Sequence, residues 1–327
     1  MGYKWSLITA IFLYSLTILG SLVVGMNAVL ACPNWPLCGN SIIPPLNGPV
    51  LVEYVHRLVT FLTTLLLIYN AWRTWRKRKD RLSRWLAVAS IFFLGTQIAF
   101  GAIIVLLILP GSFTTIDVAN SMVLLASVTA LTAIGWKEKK DARIQASGGP
   151  VLAASGLPLI QEQALMLRKP AIAVVVFTFI ETLIGGYFRH SGDSQALFGQ
   201  DSYLLSHHQH VMPGYDASLW WLGIHIVTSV ILGIAVVWLI ARALKLQAFV
   251  LPSFVLGFLI VYQMLLGFIT LATKLAMSLD TLHWAGAVAM MALSVFLLTQ
   301  IVIEIPRNKR VGKGIVASSL SLTPHAK

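Results

Sequence analysis

Three histidines of this sequence lie inside long apolar segments, where an ionisable side chain is costly and usually serves a function. They are His56, His225 and His283, each within the first two turns of its segment and all at the same end. Two facing imidazoles at equal depth, on two helices of one bundle, are what bis-histidine ligation of a haem iron requires. His225 and His283 are therefore candidate iron ligands. Core histidines paired with Ser, Thr or Asp on neighbouring helices are the alternative.

A second pattern surrounds the first of these histidines. Glu53, His56 and Arg57 stand at positions i, i+3 and i+4, which share one face of a helix. On this face His56 can bind a metal, Glu53 can serve as a proton donor or base, and Arg57 can neutralise a propionate group. The alternative is an intramembrane Glu–Arg pair that only stabilises the fold.

The chain has two cysteines, Cys32 and Cys38, which enclose a short segment with two prolines. This segment belongs to a predicted outer loop, 31–49. The prolines stiffen the loop, so we expect the two thiols to lie close together, and an oxidising compartment permits a disulfide. An accessible disulfide is either structural or redox-active, and the sequence leaves both roles open.

The elements that must position these residues are membrane-spanning helices. Of the 327 residues, 57% are hydrophobic and only 11% are charged, and the mean hydropathy is +0.81. A soluble domain carries about 25% charged residues, which excludes a soluble globular enzyme. A helix needs about 20 apolar residues to cross a bilayer. The sequence predicts eight such spans: 5–30, 50–71, 84–109, 114–136, 169–188, 217–241, 248–272 and 279–304.

Basic residues predict the orientation of the spans. Nearly all of the 24 lysines and arginines lie on one side of the spans, and only Arg57, Arg189 and Lys274 lie at or near the other. The positive-inside rule therefore predicts that both termini are cytoplasmic. The net charge of +12 is then a topology signal, and we expect no nucleic-acid partner. Because the start of the chain does not read as an Arg-rich amphipathic leader, we expect a bacterial or archaeal plasma membrane.

The spans fall into two similar sets of four, which predicts an all-α protein built from two four-helix bundles in a parallel repeat. The matching pairs are Gln97–Gln263, Gly101–Gly267, Asp117–Asp280 and His56–His225. The predicted parts are a first bundle (1–136), a cytoplasmic linker (137–168), a second bundle (169–304) and a cytoplasmic tail (305–327).

The two bundles differ at one ligand position. The residue that matches His283 is Asn120, which is a poor substitute for imidazole on iron. A haem-like ligand in the first bundle then has at most one strong protein ligand, His56. The open axial position favours O₂ chemistry or ligand exchange over pure electron transfer. Asn120, Gln97 and Gln263 complete the set of candidate ligand-contacting residues.

Several of these stretches resemble the haem A synthase family of membrane haem-modifying enzymes. The loop CPNWPLC (32–38), the following IIPP (42–45) and the motif EYVHR (53–57) carry the resemblance in the first half. The segment GGYFRHSG (185–192) and the spans with His225 and His283 resemble that family's second half. The combination of the motifs is specific, although each one alone is weak.

The resemblance implies an eight-span enzyme that oxidises the C8 methyl group of haem O to a formyl group, giving haem A. It implies a haem b between His225 and His283 for electron transfer, and a substrate site with His56 as iron ligand and Glu53 as catalytic carboxylate. The family's outer cysteine pair maps to Cys32 and Cys38. The implied partners are haem O and O₂ or water as the oxygen source. A complex with the enzyme that makes haem O, and a homo-oligomer, are further expectations.

A second hypothesis follows from Asn120, because the family usually has a histidine there. The chain would then be a catalytically altered haem-binding homologue: a haem carrier, an electron-transfer cytochrome or an oxidase assembly factor. A small-molecule transporter is a third hypothesis, which the predicted parallel repeat disfavours because transporters often have inverted repeats.

Overall fold

The computed structural model describes residues 3–32, 38, 43–45, 47–146, 157–200 and 212–305. Eight helices in this part are long and apolar enough to cross a membrane, which confirms the predicted all-α fold of a multi-pass membrane protein. A single helical turn, α6, lies between the fifth and sixth of them. The helices are α1 (Tyr3–Gly25), α2 (Gly48–Lys77), α3 (Arg81–Leu107), α4 (Ser112–Ala146), α5 (Leu157–His190), α6 (Asp193–Ala196), α7 (Tyr215–Leu246), α8 (Val250–Ala272) and α9 (Met277–Glu304).

The helices differ from the predicted spans mainly at the linker. Helix α4 continues to Ala146 and α5 begins at Leu157, because charged residues such as Lys and Glu are good helix formers outside the apolar region. Much of the predicted linker is therefore helical. Residues 147–156 of the linker, and the tail from residue 306, lie outside the described residues.

The short turn between α2 and α3 is stabilised by Asp80, the N-cap of α3. Its carboxylate accepts a hydrogen bond from the backbone N–H of Ser83 at 2.8 Å. Partial burial alone would raise the pKa of Asp80, but the hydrogen bonds from Ser83 and the charge of Arg78 outweigh it and hold the pKa below its usual value. The cap therefore stabilises the fold above the ordinary pKa of aspartate, and that contribution is lost as the pH falls through the lowered pKa.

Replacing Asp80 with alanine should lower the free energy of unfolding by about 1 kcal/mol, the usual cost of a lost N-cap. Thermal unfolding in detergent measures the effect. Asn caps helices about as well as Asp, so Asp80→Asn is the matched control and should retain most of the stability. Equal losses in both variants would show that the charge, rather than the cap, is what matters.

The long helices form two closed rings. In the first ring α1 contacts α2, α2 contacts α3, α3 contacts α4, and α4 returns to α1. In the second ring α5 contacts α7, α7 contacts α8, α8 contacts α9, and α9 returns to α5. The described helices are thus arranged as two four-helix bundles, whereas the internal repeat stays a prediction.

Helix α9 joins the two bundles. Its residues Met290 and Leu297 belong to the core of the second bundle, while Val288 and Met291 pack into the core of the first. Side-chain hydrogen bonds cross the same boundary, such as the one from Trp284 of α9 to the backbone carbonyl of Thr17 at 3.0 Å. A shared core of this kind holds the two bundles in a fixed relation.

The three intramembrane histidines share one end of this assembly. His56, His225 and His283 lie on α2, α7 and α9, each near the N-terminal end of its helix. We call this the histidine end. Both bundles have an apolar core of fully buried side chains, such as Leu67 and Leu131 in the first and Leu239 and Leu297 in the second.

Candidate functional site

The second bundle places the imidazole rings of His225 and His283 close together, with their planes nearly perpendicular. The ring centres of His225 and His283 lie 6.4 Å apart, with an angle of 86° between the ring planes. Imidazole–metal bonds of about 2 Å on both sides of one metal place the two ring centres roughly 6 Å apart. The distance between the ring centres is therefore compatible with two ligands of one haem iron, and that role of the two histidines stays a prediction.

Two glycines make room for these rings. A Cβ on Gly185 of α5 would lie 2.9 Å from Cε1 of His225, and a Cβ on Gly267 of α8 would lie 3.2 Å from Cε1 of His283. A side chain at either position would push the ring away. Gly185 lies in the motif GGYFRHSG and Gly267 in one of the matching pairs, but spacing along the chain gives no sign of this steric role.

Gln263 adds an unusual polar group beside the histidine pair. It stands one turn before Gly267 on α8 and is 7% exposed, yet its side-chain Nε2 and Oε1 have no hydrogen-bond partner among the described residues. Its amide packs against Gly286 of α9, where a methyl group would overlap it. A buried amide without partners is costly in the protein alone, which fits a group that meets a polar ligand.

The first bundle repeats part of this arrangement around His56. A Cβ on Gly20 of α1 would lie 3.5 Å from Cε1 of His56, so a glycine of the first helix again faces the histidine of the second. Nδ1 of His56 is buried and has no hydrogen-bond partner within the described part of the chain. His56 is therefore available to a ligand inside the bundle.

The Glu53 and Arg57 side chains form the predicted pair on α2. Arg57 Nε donates to Oε1 of Glu53 at 2.7 Å, and Glu53 is only 5% exposed. The Nη2 atom of Arg57 donates to the backbone carbonyl of Cys32, also at 2.7 Å. The sulfurs of Cys32 and Cys38 are bonded to each other. The disulfide loop therefore contacts the buried carboxylate through one guanidinium group.

The side chain of Asn120, on α4, is hydrogen-bonded to residues of α3. Its amide nitrogen donates to the carbonyl of Phe93 at 2.9 Å and to Oε1 of Gln97 at 2.5 Å, and its amide oxygen accepts from Thr96 at 2.6 Å. Gln97 in turn donates to Asp117 at 2.6 Å. These side chains form a partly buried polar network between α3 and α4.

Beside this network the first bundle has open space at the position where the second bundle has the imidazole of His283. A Cβ on Gly101 would meet nothing within 4 Å in the described residues, whereas the matching Gly267 faces His283. Gln97 is hydrogen-bonded to Asn120 and Asp117, whereas the side chain of the matching Gln263 has no hydrogen-bond partner among the described residues. The sequence predicted both glutamines as ligand-contacting, and the structure gives them different surroundings.

The histidines outside the spans contribute little to this picture. His190 is the last residue of α5 and is 8% exposed. His207, His208 and His210 lie outside the described residues, as does His325. Within the described part of the chain, no group of three or more His, Cys, Asp or Glu side chains could hold a metal ion.

Similarity to known proteins supports the resemblance to the haem A synthase family. Residues 2–129 match the profile of a family described as "Cytochrome oxidase assembly protein". A haem A synthase of Lysinibacillus sphaericus is 27% identical over 288 residues, which cover 86% of this chain and 89% of that protein. The resemblance to the haem A synthase family is confirmed.

Other relatives in this family match over shorter stretches. The haem A synthase of Bacillus licheniformis is 27% identical over 192 residues, 58% of this chain and 59% of its own length. That of Symbiobacterium thermophilum is 38% identical over 101 residues, 30% of this chain and 32% of its own length. In both cases the matched part spans less than two thirds of the relative.

Proposed function

We propose that this protein oxidises the C8 methyl group of haem O to a formyl group and so makes haem A. The observation that carries the proposal is the pair of imidazoles 6.4 Å apart in the second bundle, beside a first bundle with one imidazole and a buried carboxylate. The named haem A synthases that match the chain support it. One bundle then serves as the electron-transfer site and the other as the substrate site.

In the second bundle, His225 and His283 would hold a haem b. Bound there, haem b supplies one-electron transfer. Gly185 and Gly267 keep the two rings at their spacing, and the Gln263 amide is placed to donate to or accept from a polar group of the ligand. The protein's share in this bundle is orientation and exclusion of water.

In the first bundle, His56 would bind the iron of the substrate, haem O. The residue that matches His283 here is Asn120, whose amide donates to Phe93 and Gln97, so it would not supply a second imidazole to the iron. An open position admits O₂ or water, the two candidate oxygen sources. This arrangement favours chemistry on the substrate over simple electron transfer.

Glu53 is the group that can move a proton at this site. It lies on the same helix face as His56 and is fixed by Arg57 at 2.7 Å. A positioned carboxylate typically contributes a factor of about 10²–10⁴ in general acid–base catalysis. Arg57 holds Glu53 in place and links it to the Cys32 carbonyl, and its charge can also face a propionate of the substrate.

A catalytically altered homologue is the second candidate, and Asn120 is the observation that favours it. If the family's usual histidine is needed for turnover, the first bundle would bind haem O without oxidising it. The chain would then act as a haem carrier, an electron-transfer cytochrome or an assembly factor.

Pigment analysis separates the two candidates. The protein is produced in aerobic cells together with a haem O source, purified, and its haems are extracted and identified. Recovery of haem A, absent from cells that lack the chain, supports the enzyme. Recovery of haem b and haem O alone contradicts it and favours the altered homologue.

Gly185→Ala should weaken haem binding in the second bundle, because the new Cβ meets Cε1 of His225 at 2.9 Å. We expect a several-fold lower haem content per protein than in the wild type, measured by absorbance. The matched control is Gly223→Ala on α7, where a Cβ meets nothing within 4 Å in the described residues. Equal haem contents in the two variants would contradict the steric role of Gly185.

The setting of this activity is also part of the proposal. The chain would lie in a bacterial or archaeal plasma membrane with both termini in the cytoplasm, as the basic residues predict. The histidine end then faces the outer side, where the Cys32–Cys38 disulfide is permitted. A complex with the enzyme that supplies haem O would pass an apolar substrate on without its release.

A further inference from the structure

A buried acidic side chain of α5 contacts one of the two proposed iron ligands. Glu181 stands one turn before Gly185, so both residues face α7. Its Oε1 atom lies 2.9 Å from Nδ1 of His225, and its side chain is 13% exposed. The contact lies off the axis of the ring N–H, because His225 Nδ1 lacks an aligned hydrogen bond within the described part. An aligned hydrogen bond at this distance requires the ring N–H to turn toward Oε1.

Helix α7 surrounds the same carboxylate from two further positions. Thr228 and Ser229 follow His225 by three and four residues and so lie on its helix face. Their hydroxyl groups donate to Oε2 and Oε1 of Glu181, respectively. A carboxylate within an apolar segment is costly, and three polar side chains of one helix face are directed at this one.

The first bundle lacks this feature. Four residues before Gly20, the glycine that faces His56, the chain has Leu16. A carboxylate one turn before the glycine that faces the histidine therefore occurs in the second bundle, where one-electron transfer is proposed, whereas the carboxylate of the first bundle, Glu53, lies on the same helix as its histidine. This difference indicates that Glu181 acts on the redox properties of the second bundle's ligand rather than on helix packing in general.

We propose that Glu181 is a positioning residue for His225 and lowers the redox potential of the haem that His225 binds. This inference rests on the proposed haem b site. By accepting the Nδ1–H of His225, Glu181 leaves the lone pair on Nε2 for iron, as carboxylates do for other metal-bound histidines. Its negative charge also stabilises the ferric over the ferrous state, so the bound haem is a stronger reductant.

The test is a redox titration of the purified, haem-loaded protein followed by absorbance. Glu181→Gln should keep the low-spin spectrum and shift the redox equilibrium about tenfold toward the reduced form, which corresponds to about 59 mV for one electron. Glu181→Asp should give a smaller shift of the same sign. Glu162→Gln, the same chemical change at an exposed position of α5, should leave the potential unchanged.

The outcomes separate this inference from the proposed function. A low-spin haem whose potential is the same in Glu181→Gln and Glu162→Gln overturns the role of Glu181 and leaves the haem site standing. A wild-type protein without low-spin haem overturns both. If the glutamine variant retains no haem, the aspartate variant decides: an upward shift supports the inference and an unchanged potential overturns it.

Discussion

Replacing His225 or His283 with alanine should abolish the low-spin haem b of the second bundle. The two rings lie 6.4 Å apart on α7 and α9, which face each other across the second bundle, so each variant removes one of the two proposed ligands of one iron. A remaining single imidazole leaves an open axial position, and the iron becomes high-spin or is lost. The measurement is the reduced-minus-oxidised absorption spectrum of the purified variants, with haem content per protein.

His56→Ala is the matched control for this experiment. It removes the same side chain from the first bundle, and should leave the low-spin signal of the second bundle unchanged. Elution of all three variants as the wild type in gel filtration shows that they fold. A low-spin band of full intensity in both His225→Ala and His283→Ala would rule out the bis-histidine site.

Glu53→Gln should block the production of haem A while leaving both haem sites occupied. Glutamine keeps the size of the side chain and still accepts a hydrogen bond from Arg57, so the helix face is preserved. Arg57 also keeps its hydrogen bond to the Cys32 carbonyl, so the variant is expected to fold. The proton transfer assigned to Glu53 is worth a factor of about 10²–10⁴, so we expect haem A to fall at least a hundredfold.

The yield of haem A in cells with a haem O source measures this effect. Glu162→Gln again serves as the control, since it removes a carboxylate at an exposed position of α5 without touching either site. Wild-type amounts of haem A from Glu53→Gln would remove Glu53 from the mechanism. The retained low-spin spectrum shows that a loss of product comes from chemistry rather than from misfolding.

Much of the fold follows from the sequence because the bilayer imposes simple rules. A helix that crosses lipid needs a continuous apolar run, and hydropathy therefore predicts eight helices at nearly the observed positions. The observed α7 begins at Tyr215, two residues before the predicted span. Helix ends in the water were harder to predict, as α4 shows by continuing to Ala146, because polar residues there carry no hydropathy signal.

The candidate site was only partly predictable for a different reason. Glu53, His56 and Arg57 share one helix, so their spacing alone places them together. The contacts of Gly20 with His56 and of Glu181 with His225 depend on how two helices are rotated against each other, which spacing along one chain does not specify. An internal comparison of the two halves offered one signal, since Gly20 and Gly185 precede their histidines by similar distances.

The Asn120 position shows the same limit. The sequence predicts that asparagine replaces an iron ligand, but not that its amide binds Phe93 and Gln97 of α3. The short side chain is satisfied locally, so it does not reach across the bundle as an imidazole would. In the second bundle His283 stands at the position of Asn120, and among the described residues Gln263 lacks the hydrogen-bond partner that Gln97 has.

Low-temperature electron paramagnetic resonance of the purified ferric protein tests the central claim most directly. Two imidazoles on one iron, from opposite helices of the second bundle, predict a low-spin ferric signal in the wild type, present also in His56→Ala. A wild-type protein that binds haem but gives only a high-spin signal, or binds none, would contradict the pairing of His225 with His283.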